Sequence, residues 1–316
     1  MTDVSPAPDL PERVERSERW LRWDHGGLRL AVFVAVTVAI VVAARRLDWT
    51  HALALLGTAQ PGWLAAAIFF NLAILAVWAL FWRALRPDGE TPVAYGRMFE
   101  IVSVASSLMN TVPFGGGHAS SVVLLIRRGN TTSRGALSVL ALDQLGEGVT
   151  KVCVFLLVGV LLPLPPWMRA GIITASLGVG ALFIGVMLVS RLTTELAVVR
   201  NWRRSAKALG CVMLMKAAEA CAIAAVQYAF GVDVTFGGTL LVLAAVILGT
   251  MLPLSPGNLG TYEASAFLAY RYLGVAPDQA LSLAIMQHVC FTLPAVGVGY
   301  LFLSRHTLLR SAIASR

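Results

Sequence analysis

Two apolar stretches of this chain are broken by proline and glycine before either is long enough to cross a bilayer. The second begins near residue 238, is interrupted at Pro253, Pro256 and Gly257, and resumes as a short helix from Gly260. About fifteen helical residues reach only about 22 Å, less than the roughly 30 Å of hydrocarbon. We therefore expect the segment to enter the membrane and return, with its irregular tip lining a cavity.

The same pattern occurs earlier in the chain. Residues 113–144 align with residues 256–288 at an offset of 143 or 144 positions. The aligned pairs are Pro113 with Pro256, Gly117 with Gly260, Leu125 with Leu268, Arg128 with Arg271, Ala136 with Ala280 and Leu137 with Leu281. Two broken hairpins, each followed by a spanning helix, indicate a transporter built from structural repeats.

The composition predicts a polytopic membrane protein and excludes the soluble classes. Hydrophobic residues make up 57% of the chain, charged residues 13%, and the mean hydropathy is +0.74. The net charge of +8 comes from arginines at the ends of apolar segments, so topology explains it and no nucleic-acid partner is expected. The four cysteines lack metal-ligand spacing, so neither a metal nor another cofactor is expected. The sequence contains no signature of an enzyme, so we expect the chain not to be one.

Six apolar runs are predicted to span the membrane, and two broken segments are predicted to form re-entrant helical hairpins. The spans are 28–44, 62–83, 136–161, 168–190, 207–230 and 278–303, and the hairpins are 93–128 and 238–272. With this topology 19 of the 25 lysines and arginines fall on one face. Despite Arg45 and Arg46 on the other face, the bias predicts a cell inner-membrane protein with both termini in the cytoplasm.

This topology divides the chain into four parts. Residues 1–26 are predicted to be a cytoplasmic tail with an interfacial helix, and residues 305–316 a second cytoplasmic tail. Between them lie two membrane repeats, 27–162 and 163–304. The first begins inside and the second outside, so the fold class is all-α with two inverted-topology repeats whose hairpin tips meet near the midplane.

Ionisable residues inside apolar helices are the first candidates for a binding site, because a charge at the bilayer centre costs about 3 kcal/mol. Asp143, Glu147 and Lys151 follow one stripe of the third span. Lys216 and Glu219 lie one turn apart in the fifth. These residues bind substrate or, in the alternative, form local pairs, Glu147 with Lys151 and Lys216 with Glu219.

The hairpin tips are the second group of candidates. Each tip starts a short helix, whose free amides and partial positive charge suit a phosphate or carboxylate. The candidates in the two tips are Gly115, Gly116, Gly117, His118 and Ser120, then Asn258, Gly260, Tyr262 and Glu263. The alternative is that glycine and proline only make the turns, while Ser120 or Glu263 only caps a helix.

Four further side chains are placed near the tips. Arg128 and Arg271 end the returning arms at equivalent positions, as interfacial anchors or as contacts to a headgroup phosphate. His288 follows the second tip on the next helix, together with Gln287. It is a packing residue or, if it points into the cavity, a proton sensor.

The second hairpin resembles a known family. The sequence PLSPGNLGTYEASAFLAYRYLGVAPDQALSLAIMQH resembles the Pro-x-x-Pro-Gly-x-x-Gly-x-x-Glu hairpin of the lysylphosphatidylglycerol synthase transmembrane-region family, the flippase-like domain. PFGGGHASSVVLLIRRGN is similar to that family's first hairpin, and the likeness runs over about residues 28–303. By this resemblance Pro256, Gly257, Gly260 and Glu263 match the hairpin motif, and Asp143 and Glu147 match the acidic positions after the first hairpin.

The resemblance implies a lipid flippase, as in bifunctional proteins where this domain moves an aminoacylated phospholipid made by a separate synthase domain. No synthase domain accompanies it here, so we expect this chain not to make that lipid. Members often carry arginine where this chain has Gln144 and Gln287 or His288, which leaves the headgroup open.

We therefore expect the partners to be membrane lipids, whether an anionic or aminoacylated phospholipid or a polyprenyl-linked lipid. A homo-oligomer and a separate lipid-modifying enzyme are compatible further partners. Two alternatives stay open. One is a secondary transporter of a small anionic solute, with a proton relay through Glu147 and His288, and the other is a membrane scaffold.

Overall fold

The computed structural model describes residues 54–112, 116–164, 166–190, 201–251 and 255–314. Within these residues the chain is helical and contains no strand. Nine helices have defined bounds: α1 Pro61–Leu85, α2 Tyr95–Thr111, α3 Gly116–Gly129, α4 Ser133–Leu161, α5 Pro166–Ser190, α6 Trp202–Ala229, α7 Phe236–Gly249, α8 Thr261–Tyr272 and α9 Pro277–Ala314. A 3₁₀ turn, Pro256–Asn258, precedes α8.

Four helices of the described ranges are long and apolar enough to cross a membrane. They are α1, α4, α6 and the Pro277–Arg305 part of α9, and they coincide with four of the six predicted spans. The predicted span 168–190 is present as helix α5. The predicted span 28–44 and the tail 1–26 lie outside the described residues. The chain is therefore an all-helical, multi-pass membrane protein.

Most helix starts follow from local sequence. Thr132 caps α4 by accepting a hydrogen bond from the Gly135 amide, and Thr235 caps α7 in the same way. Asn201 caps α6, because its side chain accepts from the amides of the second and third helical residues. Helices α1, α5 and α9 each begin with proline, which needs no amide partner at that position. Residues 305–314, predicted to be a tail, continue helix α9.

Two pairs of shorter helices form hairpins, α2 with α3 and α7 with α8. Their lengths are 17, 14, 14 and 12 residues, in that order. At 1.5 Å per residue these arms reach about 26, 21, 21 and 18 Å, each less than the roughly 30 Å of hydrocarbon. The hairpins occupy the two broken segments of the sequence.

Glycines let the helices of each hairpin approach closely. A Cβ on Gly117 of α3 would lie 2.4 Å from the Met109 Cα and 2.7 Å from its amide nitrogen in α2. In the second hairpin a Cβ on Gly249 of α7 would lie 1.7 Å from the Ser265 Oγ of α8. At Gly117 the nearest atoms belong to the backbone. At Gly249 they belong to the Ser265 side chain, whose hydroxyl can rotate away, although its Cβ would remain 2.8 Å from the added carbon.

The helices fall into two matched sets. Helices α1 to α4 and helices α6 to α9 follow the same order, and their starts repeat at about the offset of the sequence repeat. The contacts repeat as well. The hairpin arm α2 packs on α9 as α7 packs on α4, α3 packs on α4 as α8 packs on α9, and α1 packs on α9 as α6 packs on α4. Helices α1 and α6, which are each other's counterparts, pack along one another.

The turn of the second hairpin touches the end of the first hairpin's leading arm. The 3₁₀ turn Pro256–Asn258 contacts α2, and a Cβ on Gly257 would lie 2.9 Å from the carbonyl oxygen of Asn110. Gly257 has a φ of 61°, which most side chains avoid. A glycine at this position therefore satisfies both the turn geometry and the contact between the hairpins.

Candidate functional site

Three of the predicted site residues form one charged cluster, which consists of Glu147, Lys216 and Glu219. The Lys216 Nζ lies 3.2 Å from a Glu147 carboxylate oxygen and 2.8 Å from a Glu219 carboxylate oxygen. Glu147 comes from α4 and the other two from α6, so the cluster joins two spanning helices. One ammonium between two carboxylates leaves a net charge of −1, which favours a cationic ligand.

The charged cluster differs from the locally paired arrangement. Lys216 does pair with Glu219 within α6, as the local alternative predicted. Glu147, however, reaches across to Lys216 of α6, whereas the local alternative gave it Lys151 on its own helix. Each of the three side chains remains partly accessible, so none is sealed in the helix interface.

An apolar cavity of 380 Å³ begins at the charged cluster and lies between α4, α6 and α7. Along α6 its lining runs from Met213 and Lys216 to Tyr228. Lys216 and Tyr228 are twelve positions apart, which corresponds to about 18 Å of helix. Apart from Lys216, most of the lining is aliphatic or aromatic, with Thr150, Gln227 and Thr239 as polar exceptions. A charged group thus adjoins a long apolar space.

The second hairpin tip is built by left-handed backbone and a carboxylate cap. Gly257, Asn258 and Gly260 have φ values of 61°, 56° and 86°. Glu263 accepts a hydrogen bond of 2.7 Å from the Gly260 amide, so its carboxylate caps α8 as the capping alternative predicted. The side-chain oxygen of Asn258 is buried and has no hydrogen-bond partner in the part of the chain that the structure describes.

Glu263 also contacts His288, which connects the tip to α9. The second carboxylate oxygen of Glu263 lies 2.8 Å from the His288 Nδ1. The imidazole stacks on Tyr262 with ring centroids 4.3 Å apart and an interplanar angle of 12°. His288 is 3% exposed, and its Nε2 has no hydrogen-bond partner among the described residues. Gln287 faces the same tip, because it donates a hydrogen bond to the Tyr262 hydroxyl.

A buried chain of hydrogen bonds leads from this tip to the apolar cavity. Gln287 donates to the Tyr262 hydroxyl and accepts from the Tyr270 hydroxyl, both at 2.9 Å. The Gln227 amide donates to Tyr270 at 3.3 Å and accepts from Thr239 at 2.8 Å. Since Gln227 and Thr239 line the cavity, the tip and the cavity share one polar network.

Sequence reasoning missed three members of this network: Gln227, Thr239 and Tyr270. Gln227 is 2% exposed in an apolar helix, which is the signal that could have identified it, because a buried amide requires partners. Lys216 of the charged cluster lines the same cavity as Gln227 and Thr239. The structure thus brings the charged cluster, the second tip and the cavity into one region.

The first hairpin presents a different chemistry. Gly116 is the first residue of α3, and Gly115 lies outside the described residues. Gly117 is buried against the backbone of α2, whereas His118 is exposed and Ser120 is half-buried. The position of Gly117 explains the glycine by close packing, which is independent of any ligand.

The two equivalent arginines have different partners. The Arg128 guanidinium lies 2.7 Å from the Glu100 carboxylate, which ties α3 to α2. Arg271 donates to the carbonyl oxygen of Val275, just beyond the end of its own helix. Both contacts stabilise the ends of the hairpins, as interfacial anchors would.

Asp143 accepts hydrogen bonds from two tryptophans. The indole nitrogens of Trp78 and Trp82 both donate to the same carboxylate oxygen at 2.8 Å, and Gln144 donates to the other at 3.3 Å. The side chain is 2% exposed. Asp143 therefore joins α1 to α4, and its acceptor capacity is largely occupied by protein.

The described residues contain no group of three or more histidine, cysteine, aspartate or glutamate side chains that could hold a metal ion. The groups present are carboxylates, one ammonium, hydroxyls and amides. Chemically, they suit the recognition of a polar or charged headgroup by ion pairs and hydrogen bonds.

Comparison with known proteins identifies the family. The sequence model of the lysylphosphatidylglycerol synthase transmembrane region matches residues 28–299. The chain belongs to this family. The resemblance predicted from the two hairpins is thereby confirmed, and the match covers both matched sets of helices. No curated protein sequence matches the chain significantly. Membership associates this membrane protein with lipid biology.

Proposed function

We propose that this protein translocates a phospholipid or another lipid-linked headgroup across the inner membrane. The observation that carries the proposal is the position of the charged cluster at one end of the apolar cavity. A substrate that suits both features has a charged head and a long apolar tail. A small soluble anion would match neither the net charge of −1 nor the mostly apolar lining.

The proposal includes an inverted-repeat architecture. Each repeat would hold three spanning helices and one hairpin, and a hairpin adds either no crossing or two. The number of crossings per repeat is then odd, so the second repeat starts on the opposite side. The contacts between the two sets of helices support this arrangement, because α1 and α2 pack on α9 as α6 and α7 pack on α4. The contact between Gly257 and Asn110 at the hairpin turns supports it as well. In this arrangement 27–162 and 163–304 are the repeats, and both termini are cytoplasmic.

In this mechanism the headgroup crosses beside the charged cluster while the acyl chains remain in apolar surroundings. Glu147 and Glu219 form ion pairs with a cationic part of the headgroup. Lys216 then leaves these carboxylates and pairs with the headgroup phosphate. The polar network from Tyr262 to Thr239 gives the headgroup hydrogen bonds on the way. The cavity between α4, α6 and α7 takes an acyl chain. The chain binds lipid made by a separate enzyme and catalyses no covalent step.

The test is lipid translocation in vesicles that contain the purified protein. A fluorescent phospholipid is followed by the fraction that a membrane-impermeant quencher reaches with time. Lys216→Gln removes the cation and strands two carboxylates, and Glu219→Gln keeps the shape while removing one charge. We expect each variant to slow translocation by at least about tenfold, because the headgroup loses a charge-assisted contact worth about 1.5–3 kcal/mol and about 1.4 kcal/mol corresponds to tenfold.

Lys151→Gln is the matched control, because Lys151 lies on α4 outside the charged cluster. It should leave the rate within about twofold of the unaltered protein. Monodisperse elution and a cooperative melting transition show that a variant is folded. If folded Lys216→Gln and Glu219→Gln both translocate lipid at the normal rate, the charged cluster is not the site. Uptake of a soluble anion without lipid movement would instead favour the solute transporter.

A further inference from the structure

One end of the α1–α6 pair is strongly basic. Arg83 and Arg86 lie at the end of α1, and Arg204 and Lys207 lie in the first two turns of α6. Trp202, the first residue of α6, is 73% exposed, and the Arg203 guanidinium lies 5.7 Å from the centre of its ring. Exposed tryptophan and arginine at a helix end are typical of the headgroup level of a membrane. We call this region the basic end.

The basic end contains a polar cavity of 220 Å³, which Arg83, Arg86 and Arg204 line. Arg86 is 6% exposed, and its Nη2 pairs with Glu90 at 3.0 Å. Its Nε and Nη1 are buried and have no hydrogen-bond partner within the described ranges. A buried guanidinium with two unsatisfied donors is costly unless an acceptor reaches it.

The carboxylates that line this cavity are already occupied. Glu90 accepts from Arg86 and from the amide and hydroxyl of Thr132, and Asp88 pairs with Arg204. Three guanidinium groups face two carboxylates, so the cavity lining carries a net charge of +1. The missing partner is therefore an anion with several acceptor oxygens.

An apolar groove adjoins the polar cavity, and Arg83 lines both. The groove has a volume of 540 Å³ and lies between α1 and α6. Its lining residues are Val77, Leu80, Arg83, Ala84, Lys207, Gly210, Cys211 and Leu214. A Cβ on Gly210 would meet no atom within 4 Å, so the groove is open at that position. The basic side chains therefore lie at one end of an apolar groove that runs along α1 and α6.

We propose that the basic end binds one anionic phospholipid. Its phosphate lies among Arg83, Arg204 and Lys207, where an oxygen can also satisfy Arg86 after a small rotation of that side chain. Its acyl chain lies in the groove over Gly210. The lipid is a resident ligand of the leaflet that this end faces, and it is distinct from the translocated substrate. The charges of the basic end complement a phosphate, and the adjoining groove requires that the phosphate carry a hydrocarbon chain.

The first experiment measures the affinity of the detergent-solubilised protein for phosphatidylglycerol by native mass spectrometry and thermal shift. Each basic residue near an anionic headgroup contributes about fivefold, so the double variant Arg83→Gln/Lys207→Gln should bind about 25-fold more weakly. Phosphatidylcholine should bind weakly to both proteins. Lys151→Gln, which lies outside both the charged cluster and the basic end, should bind phosphatidylglycerol normally. The double variant should translocate lipid at the normal rate, so the two proposals fail separately.

The second experiment fills the groove and leaves the charges in place. Gly210→Leu has space for its side chain and should prevent the phosphatidylglycerol-dependent rise in melting temperature. Gly178→Leu on α5 is the control, because a Cβ there also meets no atom within 4 Å. It should retain the full rise. An equal rise with glycerol phosphate alone would show a simple anion site and overturn the lipid assignment. So would unchanged binding in Gly210→Leu or in the double variant.

Discussion

The two hairpins occupy equivalent positions but use different means to hold their helices and different polar groups at their tips. In the first hairpin, α3 approaches the backbone of α2 at Gly117, and the far ends are tied by Glu100 and Arg128. In the second, the tip carries a carboxylate cap, a stacked imidazole and a buried hydrogen-bond network. The backbone plan repeats, whereas the ionisable chemistry does not.

The same asymmetry continues into the helices that follow the hairpins. By the repeat offset, Glu147 corresponds to Phe291, and α1, the counterpart of α6, carries no charged residue before Arg83. Phe291 stacks near Tyr262 with ring centroids 6.1 Å apart, so it contributes packing where its counterpart contributes charge. The two sets of helices thus share their packing but differ in their side chains, and the charged cluster lies at the interface of α4 and α6.

The largest expected effect is that of replacing Asp143, whose counterpart in the second set of helices is Gln287. Asp143→Leu strands the indole donors of Trp78 and Trp82, at about 1–3 kcal/mol each, so the free energy of unfolding should fall by about 2–6 kcal/mol. Asp143→Asn retains an oxygen acceptor and should cost far less. Thermal unfolding in detergent measures both.

Gln287→Leu tests the matching position. It removes one hydrogen bond from each of Tyr262 and Tyr270, but these bonds join neutral groups and Tyr270 keeps its bond from Gln227, so the loss of stability should be smaller than for Asp143→Leu. If Asp143→Asn were as damaging as Asp143→Leu, the negative charge rather than the acceptor geometry would hold α1 to α4.

A second prediction compares the close approaches within the hairpins. Gly117→Ala places a methyl group against the α2 backbone, and overpacking of this kind costs about 1–3 kcal/mol. Gly249→Ala meets the Ser265 side chain, whose hydroxyl can rotate away while its Cβ, 2.8 Å from the added carbon, must shift slightly, so it should cost less. Adding Ser265→Ala removes the hydroxyl but keeps the Cβ, so it should restore part of the loss. Melting temperatures of the three variants provide the measurement, and a milder effect at Gly117 than at Gly249 would contradict the geometry.

The smallest expected effect concerns the cap of the helix that begins at each hairpin tip. Glu263→Ala removes the cap of α8 and the partner of His288, and loss of a helix cap costs about 0.5–2 kcal/mol. Glu263→Gln keeps an oxygen at the cap and should be nearly as stable as the unaltered protein. Ser120→Ala, at the equivalent position of the first hairpin, is the comparison. Equal melting temperatures for Glu263→Ala and Glu263→Gln would mean that the cap contributes little.

Much of the helical layout could be predicted from sequence. Four predicted spans coincide with helices because long apolar runs can satisfy their backbone in a membrane only as helices. The hairpin interruptions coincide with Pro256 and Gly257, since proline and positive φ end a regular helix. The family was also recognisable from the second hairpin, because its glycines and Glu263 are close in sequence.

The candidate site was predicted only in part. The sequence identified Glu147 and Lys216 as candidates inside apolar helices, but its local alternative paired Glu147 with Lys151. The sequence did not predict that two tryptophans donate hydrogen bonds to Asp143, or that Gln227 connects the second tip to the cavity. These partners are distant in sequence, and their meeting depends on how helices cross.

By itself the sequence determined that this chain forms apolar helices, that two of its apolar stretches break, and that its order of elements repeats. These properties are local, because they depend on hydrophobicity, proline and glycine along a single segment. Tertiary structure decided which charges pair, which glycine is needed for close packing and where the cavity lies. Those properties arise where helices cross, since the direction and neighbours of a side chain are set by the packing of several segments.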